Sequence, residues 1–216
     1  MPITVIVVCT IISLVLLVVS YLMRYYKLRH TNFQVHPLTP VNWIIGNLIM
    51  IVFMMASDNF APVIIGVVSL AFQVIFLVMG VRKNRHLEKI QWKTTSVDYA
   101  FFTFAAIAAM IYYFIGDLNI AALVMFVGGC FGEVPTLRKD FVAPRTDSVQ
   151  VYLVMALRCV VMFGTLSHIN FVGLTNSLMW AAFSIVEAMW LIYCQKRHQL
   201  RRARSLAMET VEVSEG

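Results

Sequence analysis

Residues 3–23 read ITVIVVCTIISLVLLVVSYLM, an apolar stretch without a charged side chain, and a basic segment begins directly after it at Arg24. About 20 apolar residues in a helix are enough to cross the hydrocarbon core of a bilayer, which is roughly 30 Å thick. The rest of the chain has the same character, since 60% of all residues are hydrophobic and only 13% are charged. The composition therefore predicts an integral membrane protein.

Six more apolar stretches follow the first. The predicted spans are 3–23, 41–57, 62–81, 98–115, 119–139, 149–166 and 171–194. Seven spans of about 20 residues leave no room for a soluble domain. Because the gaps are short, consecutive helices must run antiparallel. We expect an all-α polytopic bundle of seven transmembrane helices.

The basic residues are sorted between the gaps. Of the 17 Lys and Arg residues, all except Arg158 lie at the ends of the first, third, fifth and seventh spans or in the segments that follow them. Cationic loops are retained on the cytoplasmic side of a membrane, so we predict the N-terminus outside and the C-terminus inside. The first span is interpreted as an uncleaved signal anchor. The net charge of +6 is explained by this topology and by attraction to anionic lipid. We therefore expect no nucleic-acid partner.

The chain resembles an internal duplication. An offset of 109 to 114 residues superposes the first three spans on the last three and aligns Trp43 with Tyr152. The predicted organisation is a first three-helix unit with its loop (1–97), a connecting helix (98–115), a second unit (119–194) and a disordered cytoplasmic tail (195–216). One connecting helix gives both units the same orientation, as in the parallel repeats of transporters. The alternative is that the match arises by chance, because any two sets of three hydrophobic spans can be aligned about this well.

The fifth span contains the most specific segment. Gly128 and Gly132 form a pair of small residues that lets a neighbouring helix approach closely. Pro135 cannot donate a backbone hydrogen bond, and its ring clashes with the carbonyl of Phe131, so the helix must kink there. A closely packed segment that ends at a kink suits a hinge in a moving helix. The alternative is a static kink.

The same segment carries a family resemblance. A proline in the first helix of a three-helix unit, then a basic turn, a second proline and an acidic residue before the next helix, resembles the PQ-loop motif. The residues are Pro135, Leu137-Arg138-Lys139, Pro144 and Asp147-Ser148. The 3+1+3 plan with the N-terminus out also resembles the PQ-loop and SWEET transporter superfamily. With Pro37 and Trp43 in the first half, the chain is most similar to uncharacterised bacterial seven-helix proteins of that type.

This resemblance implies that a solute moves by alternating access around a central site, in the inner membrane of a bacterium. It also implies that Asn176, an interior amide of the seventh span, contacts the solute. The chain departs from the family at two positions. Thr136 stands where the motif has Gln, and Tyr26 stands where Pro135 aligns in the first half, so the two-hinge symmetry is broken. The superfamily moves sugars, amino acids and other small molecules, so the resemblance names no solute.

Two charged residues lie deep inside predicted spans. Arg158 is about nine residues (~14 Å) from the cytoplasmic end of the sixth span, and Glu187 is about seven residues (~10 Å) from that end of the seventh. A charge in hydrocarbon is costly enough to need a partner in the bundle interior, so an Arg158–Glu187 pair is predicted. A fixed ion pair that holds two helices and a role in solute or proton binding are equally compatible with this position.

Other polar residues extend this interior face. Asn176, Trp180, Ser184 and Glu187 lie at i, i+4, i+8 and i+11, on one side of the seventh span. The predicted substrate-binding residues are Trp43, Asn47, Gln73, Arg158, Asn176, Trp180 and Glu187. For any single Asn or Gln the alternative is an interhelical hydrogen bond. Transport predicts a cavity between the two halves, whereas a solid core there would argue against it.

Glu133 precedes the predicted kink at Pro135. It could bind a proton and couple protonation to the hinge, or it could form a static clamp with Arg24, its counterpart in the duplication alignment.

Several function classes are disfavoured. The seventh span has no Lys for a retinal Schiff base, and the five His residues lie in loops or at helix ends. We therefore expect neither an enzyme nor a cofactor or metal site. The predicted partner is a small polar or amphipathic solute in a lipid bilayer, with proton coupling and homo-oligomerisation left open. The alternative function is a non-transporting scaffold, receptor or assembly protein whose polar residues specify helix packing.

Overall fold

The computed structural model describes residues 1–30, 38–84, 96–142 and 148–214. Every regular element in these ranges is helical. The helices are α1 (Ile3–His30), α2 (Leu38–Ala56), α3 (Phe60–Asn84), α4 (Ser96–Met110), α5 (Leu118–Gly132), α6 (Val134–Val142), α7 (Val149–Phe163), α8 (Phe171–Leu174) and α9 (Trp180–Ser214), with π-helical turns at Ile111–Ile115 and Thr175–Met179. The all-α prediction is confirmed. Pro37, Pro144 and Asp147, on which part of the family resemblance rests, lie outside the described residues.

Each of the seven predicted stretches is helical over most of its length. Five segments are long and apolar enough to cross a membrane: Ile3–His30, Leu38–Ala56, Phe60–Lys83, Leu118–Arg138 and Phe171–Ala203. Tyr99–Ile115 and Val149–Phe163 are apolar but shorter. The protein is thus all-α with several helices able to span a bilayer, and the count of seven spans stays a prediction.

Two predicted boundaries differ from the structure. Helix α1 continues to His30 instead of ending near residue 23, which places Arg24 inside the helix. The segment from residue 195, predicted to be disordered, continues α9 to Ser214. Residues 195–214 contain no Gly or Pro and many good helix formers such as Leu, Arg, Ala and Gln, so the helix can propagate beyond the apolar span.

Six helical segments surround the centre of the bundle in a closed order. Helix α3 packs between α1 and α2, and the α8–α9 segment packs between α5 and α7. The two sets meet where α1 contacts α7 and where α2 contacts α5. Helix α4 packs on the outside, mainly against α5 and also against α2. The order around the centre is therefore α1, α3, α2, α5, α8–α9, α7 and back to α1.

Two of the three gaps without basic residues meet at one end of the bundle, together with the N-terminus. The Ser167 hydroxyl donates to the carbonyl of Asp58 at 2.8 Å, and the His168 backbone N–H donates to Asn59 Oδ1 at 3.2 Å. The terminal amine of Met1 donates to the carbonyl of Ser167 at 3.4 Å. The gap after the second span, the gap after the sixth span and the N-terminus are thus on the same side, as the alternating charges predicted.

Gly128 and Gly132 of α5 lie where this helix packs against α4 and α2. A Cβ atom at Gly128 would lie 2.5 Å from Phe104 Cβ, and one at Gly132 would lie 3.1 Å from Phe101 Cδ2. Helix α4 therefore comes closer to α5 than any larger residue would allow. On the α2 side, Asn42 Nδ2 donates to the carbonyl of Gly132 at 3.2 Å. The predicted close approach at Gly128 and Gly132 is confirmed.

The helix is interrupted just before Pro135. Helix α5 ends at Gly132 and α6 begins at Val134, so the single predicted span 119–139 consists of two helices joined at Glu133. The Glu133 backbone N–H bonds to the carbonyl of Cys130 at 3.3 Å, the short spacing of a tightened last turn. Pro135 lies in the first turn of α6, where its missing N–H has no intrahelical partner to lose.

Asp117 caps α5, and its removal is expected to destabilise that helix. Its Oδ1 accepts hydrogen bonds at 3.0 Å from the backbone N–H groups of Asn119 and Ile120. Asp117→Ala should lower the free energy of unfolding by about 1 kcal/mol. Asp117→Asn, which keeps the acceptor oxygen, should lower it by much less. Thermal unfolding of the two variants in the same detergent checks this, and equal losses would contradict the capping role.

Candidate functional site

The centre of the helix ring contains a cavity of about 150 Å³. A buried water needs roughly 10–15 Å³ of such volume, so the space could hold on the order of ten waters or one small solute. Residues of α1, α2, α3, α5, α7 and the α8–α9 segment line it, and Phe101 of α4 contributes to the wall. The cavity therefore lies between the two predicted three-helix units.

The predicted substrate-binding residues come together at this cavity. Its lining includes Trp43, Asn47, Gln73, Arg158, Asn176, Trp180 and Glu187, and also Glu133 of the predicted hinge. Pro135, the other predicted hinge residue, lies two residues beyond the helix break at Glu133 and is not part of the lining. Sequence reasoning thus found residues from α2, α3, α7 and α8–α9 that tertiary structure gathers around one space.

Arg24 lines the cavity but is not among the predicted binding residues, since the sequence suggests it only as a topology charge and as a clamp partner of Glu133. Its side chain is only 9% exposed. Arg24 directly follows the first apolar stretch, and residues 3–30 contain no Gly or Pro that would end a helix. A helix that continues through Arg24 was therefore predictable. The cavity therefore holds two arginines, Arg24 and Arg158, and two carboxylates, Glu133 and Glu187.

Trp43 joins Arg24 to Glu133. The Arg24 guanidinium lies over the Trp43 ring, with Cζ 4.5 Å from the ring centroid, which is a cation–π contact. The Trp43 indole N–H donates to Glu133 Oε1. Arg24 Nη2 also approaches Met155 Sδ of α7 at 2.9 Å. Helices α1, α2 and α7 are thereby tied to the break between α5 and α6.

This arrangement bears on the two interpretations of Glu133. The side chain is 6% exposed, and its partner Trp43 is itself held by Arg24. A clamp between Arg24 and Glu133 therefore exists through the indole ring. The same carboxylate also faces the cavity. A change in its charge would therefore alter the electrostatic potential both at the helix break and in the cavity.

Arg158 and Glu187 line the same cavity from α7 and α9. The hydrogen bond that the structure shows for Arg158 runs from Nη2 to Cys159 Sγ at 3.6 Å. The Nε atom of Arg158 is buried without a hydrogen-bond partner among the described residues. The direct Arg158–Glu187 ion pair stays a prediction, whereas the depth that both residues were expected to share is consistent with their common cavity.

Gln73 presents an acceptor from the opposite side of the ring. Its Nε2 donates to Ser69 Oγ at 3.3 Å, and Ser69 Oγ lies 3.4 Å from Tyr21 Oη. Its Oε1 is buried without a hydrogen-bond partner within the part of the chain that is described. A buried polar atom without a hydrogen bond costs about 1–3 kcal/mol. A water or a ligand in the cavity would therefore be expected to donate a hydrogen bond to this oxygen.

The π-helical turn Thr175–Met179 contains Asn176. In this turn the Thr175 hydroxyl donates to the carbonyl of Phe171 at 2.8 Å, and the Ser177 hydroxyl donates to that of Gly173 at 2.6 Å. Such bonds to the carbonyl four residues earlier compete with the helical pattern and loosen it. π-Turns of this kind occur frequently at functional sites. The Thr175 and Ser177 spacing was the signal for this feature, and sequence reasoning did not use it.

Two asparagines also hold helices together. Asn47 Nδ2 donates to the carbonyl of Gly66 at 2.9 Å and so ties α2 to α3, and Asn42 ties α2 to α5 through Gly132. For Asn47 the alternative interpretation, an interhelical hydrogen bond, therefore holds for its donor group. Its side chain nevertheless lines the cavity.

In the described residues no three His, Cys, Asp or Glu side chains form a group able to hold a metal ion. Comparison with known proteins found no match among family models, curated proteins or solved structures.

Proposed function

We propose that the protein is a small-solute membrane transporter that works by alternating access between two three-helix units. The observation that carries this proposal is the central cavity, which collects four ionisable residues and several aromatic ones inside an apolar helix ring. Ionisable residues within a membrane-spanning bundle are costly and mark solute or ion pathways. Packing alone would not require ionisable residues around a central cavity.

The order of the helices supports a 3+1+3 parallel repeat. In each proposed unit the third element packs between the first two: α3 between α1 and α2, and α8–α9 between α5 and α7. The contacts between the units are also equivalent, because the first helix of each meets the second helix of the other. Helix α4 is the connector. Transporters with such repeats bind their solute at the interface of the repeats.

The helix break at Glu133 supports a hinge beside the cavity. The helix is interrupted at Glu133, between α5 and α6, and Pro135 in the first turn of α6 disfavours a continuous helix through this junction. Glu133 faces the cavity from the same junction. We propose that Pro135 is the hinge and that Glu133 links its movement to occupancy of the site.

The polar atoms of the cavity suggest the class of solute. Arg158 Nε offers a donor on a cation, and Gln73 Oε1 offers an acceptor. The rings of Trp43 and Trp180 line the same space and provide apolar surface. The solute is proposed to be small, with an anionic or acceptor group, a donor group and an apolar face. We further propose the inner membrane of a bacterium, with the N-terminus outside.

Transport is tested by counterflow in proteoliposomes with a library of radiolabelled carboxylates, sugars and zwitterions. A transported solute should accumulate, and Glu187→Gln or Asn176→Ala should lower the initial rate at least tenfold with little change in thermal stability. Met189→Ala is the matched control, since Met189 is 57% exposed on the outer side of the helix that carries Glu187. Its rate should equal that of the unaltered protein.

The second candidate is a non-transporting scaffold, receptor or assembly protein. It is favoured by the Asn47 and Asn42 hydrogen bonds, which are packing interactions. It predicts that no library member moves and that Glu187→Gln and Asn176→Ala change only stability. That combined result would reject the transporter proposal.

A further inference from the structure

A second space lies on the outside of the helix ring. This outer groove, of about 750 Å³, is formed where the C-terminal parts of α1 and α3 meet the beginning of α7. Its apolar wall includes Leu22 of α1 with Ile75 and Met79 of α3, while Lys27, Arg29 and Gln150 form its polar end. The groove is therefore amphipathic along its length.

The apolar wall is on the side of the bundle that faces lipid. The exposed fractions of Leu22 and Ile75 are 56% and 47%. Both residues belong to helices long and apolar enough to cross a membrane. Tyr26, at the polar end, stacks on His30 with ring centroids 4.4 Å apart. Tyrosine is typical of the boundary between the hydrocarbon and the headgroups. The polar end thus lies at headgroup depth.

The charged residues among the described lining of the groove are both basic, Lys27 and Arg29. The ranges of α1, α3 and α7 contain no Asp or Glu residue. In addition to Lys27 and Arg29, Lys83 lies at this end, because its Nζ donates to the carbonyl of Leu28. Arg82 adds a further charge to the end of α3. An occupant must therefore be apolar along one part and anionic at the other.

We infer that the outer groove binds an anionic phospholipid, with its phosphate between Lys27 and Arg29 and an acyl chain along Leu22, Ile75 and Met79. A second copy of the chain is a poor occupant, since a symmetric contact would bring the basic ends together. Basic pockets between membrane helices on the cytoplasmic side bind such headgroups. This site does not depend on the proposed transport function.

Native mass spectrometry of the purified full chain tests the site, with equimolar palmitoyl-oleoyl phosphatidylglycerol and phosphatidylcholine as probes. The protein should retain the phosphatidylglycerol preferentially. The double variant Lys27→Gln/Arg29→Gln should lower this preference about 25-fold, because each basic residue near the surface contributes about a factor of five. The matched control Lys196→Gln/Arg201→Gln removes two exposed charges from α9 and should leave the preference unchanged.

A third variant removes the acyl site without changing charge. Ile75→Trp fills the apolar wall from an exposed position and should lower retention of both lipids. The inference is overturned if Lys27→Gln/Arg29→Gln keeps the original preference, or if the α9 control loses as much. It is also overturned if the spectra show a lipid-free dimer that dissociates in the Lys27→Gln/Arg29→Gln variant, because the groove would then be occupied by a second copy.

Discussion

Gly128→Val should strongly destabilise the protein, lowering the free energy of unfolding by about 3 kcal/mol, the upper end of the usual range for overpacking. A Cβ atom at position 128 would lie 2.5 Å from Phe104 Cβ and 3.7 Å from the carbonyl oxygen of Phe101. Phe104 Cβ is attached to the backbone, so no rotamer change can move it away. Helix α4 would have to separate from α5, and α4 packs more extensively on α5 than on any other helix.

The measurement is thermal or denaturant unfolding in detergent, with Val127→Ile as the control. Val127 is 37% exposed on the neighbouring position of α5. The added methylene there should change the free energy of unfolding by no more than about 0.5 kcal/mol. Equal stability of the two variants would show that α4 does not approach α5 as closely as described.

Gly129→Ala should have its largest effect on the cavity. A Cβ atom there would lie 2.6 Å from Trp180 Cζ2 and 2.7 Å from its Cη2. These atoms are at the far end of a side chain, so the ring can swing aside, unlike Phe104 Cβ. The ring packs edge-on against Phe126, with centroids 5.4 Å apart, and would have to leave that contact. The cavity wall would change while the helices stay in place.

If the protein transports a solute as proposed, uptake should fall at least tenfold in Gly129→Ala, with a loss of stability of only about 1 kcal/mol. The steric part can be checked independently of transport with a double-mutant cycle. In a Trp180→Phe background the smaller ring leaves room, so the same alanine should cost markedly less stability. Equal costs in both backgrounds would contradict the Gly129–Trp180 contact.

The local features of the chain were largely predictable. The apolar stretches are helical, the pair Gly128 and Gly132 forms a close helix contact, and the helix breaks next to Pro135. Each depends on a property of a few adjacent residues: hydrophobic length, the absence of a side chain, or the absence of a backbone N–H. These properties act before any distant contact is made.

The environment of each charge was less predictable. Arg24 and Arg29 follow the same apolar stretch, yet Arg24 is buried against Trp43 and Arg29 is exposed in the outer groove. Five residues separate them, which is about one and a half helical turns and places them on opposite faces. Which face is interior depends on where α2 and α7 pack, and nothing within α1 specifies that.

The sequence by itself determined that this is an all-α protein with helices able to cross a membrane, because hydrophobic length and charge are local quantities that a bilayer selects directly. Only the tertiary structure decided that Trp43, Gln73, Arg158 and Glu187 surround one cavity, and that Trp43 joins Arg24 to Glu133. Those relations depend on the packing order of the helices in the ring. That order is set by the summed shape of many side chains rather than by any single segment.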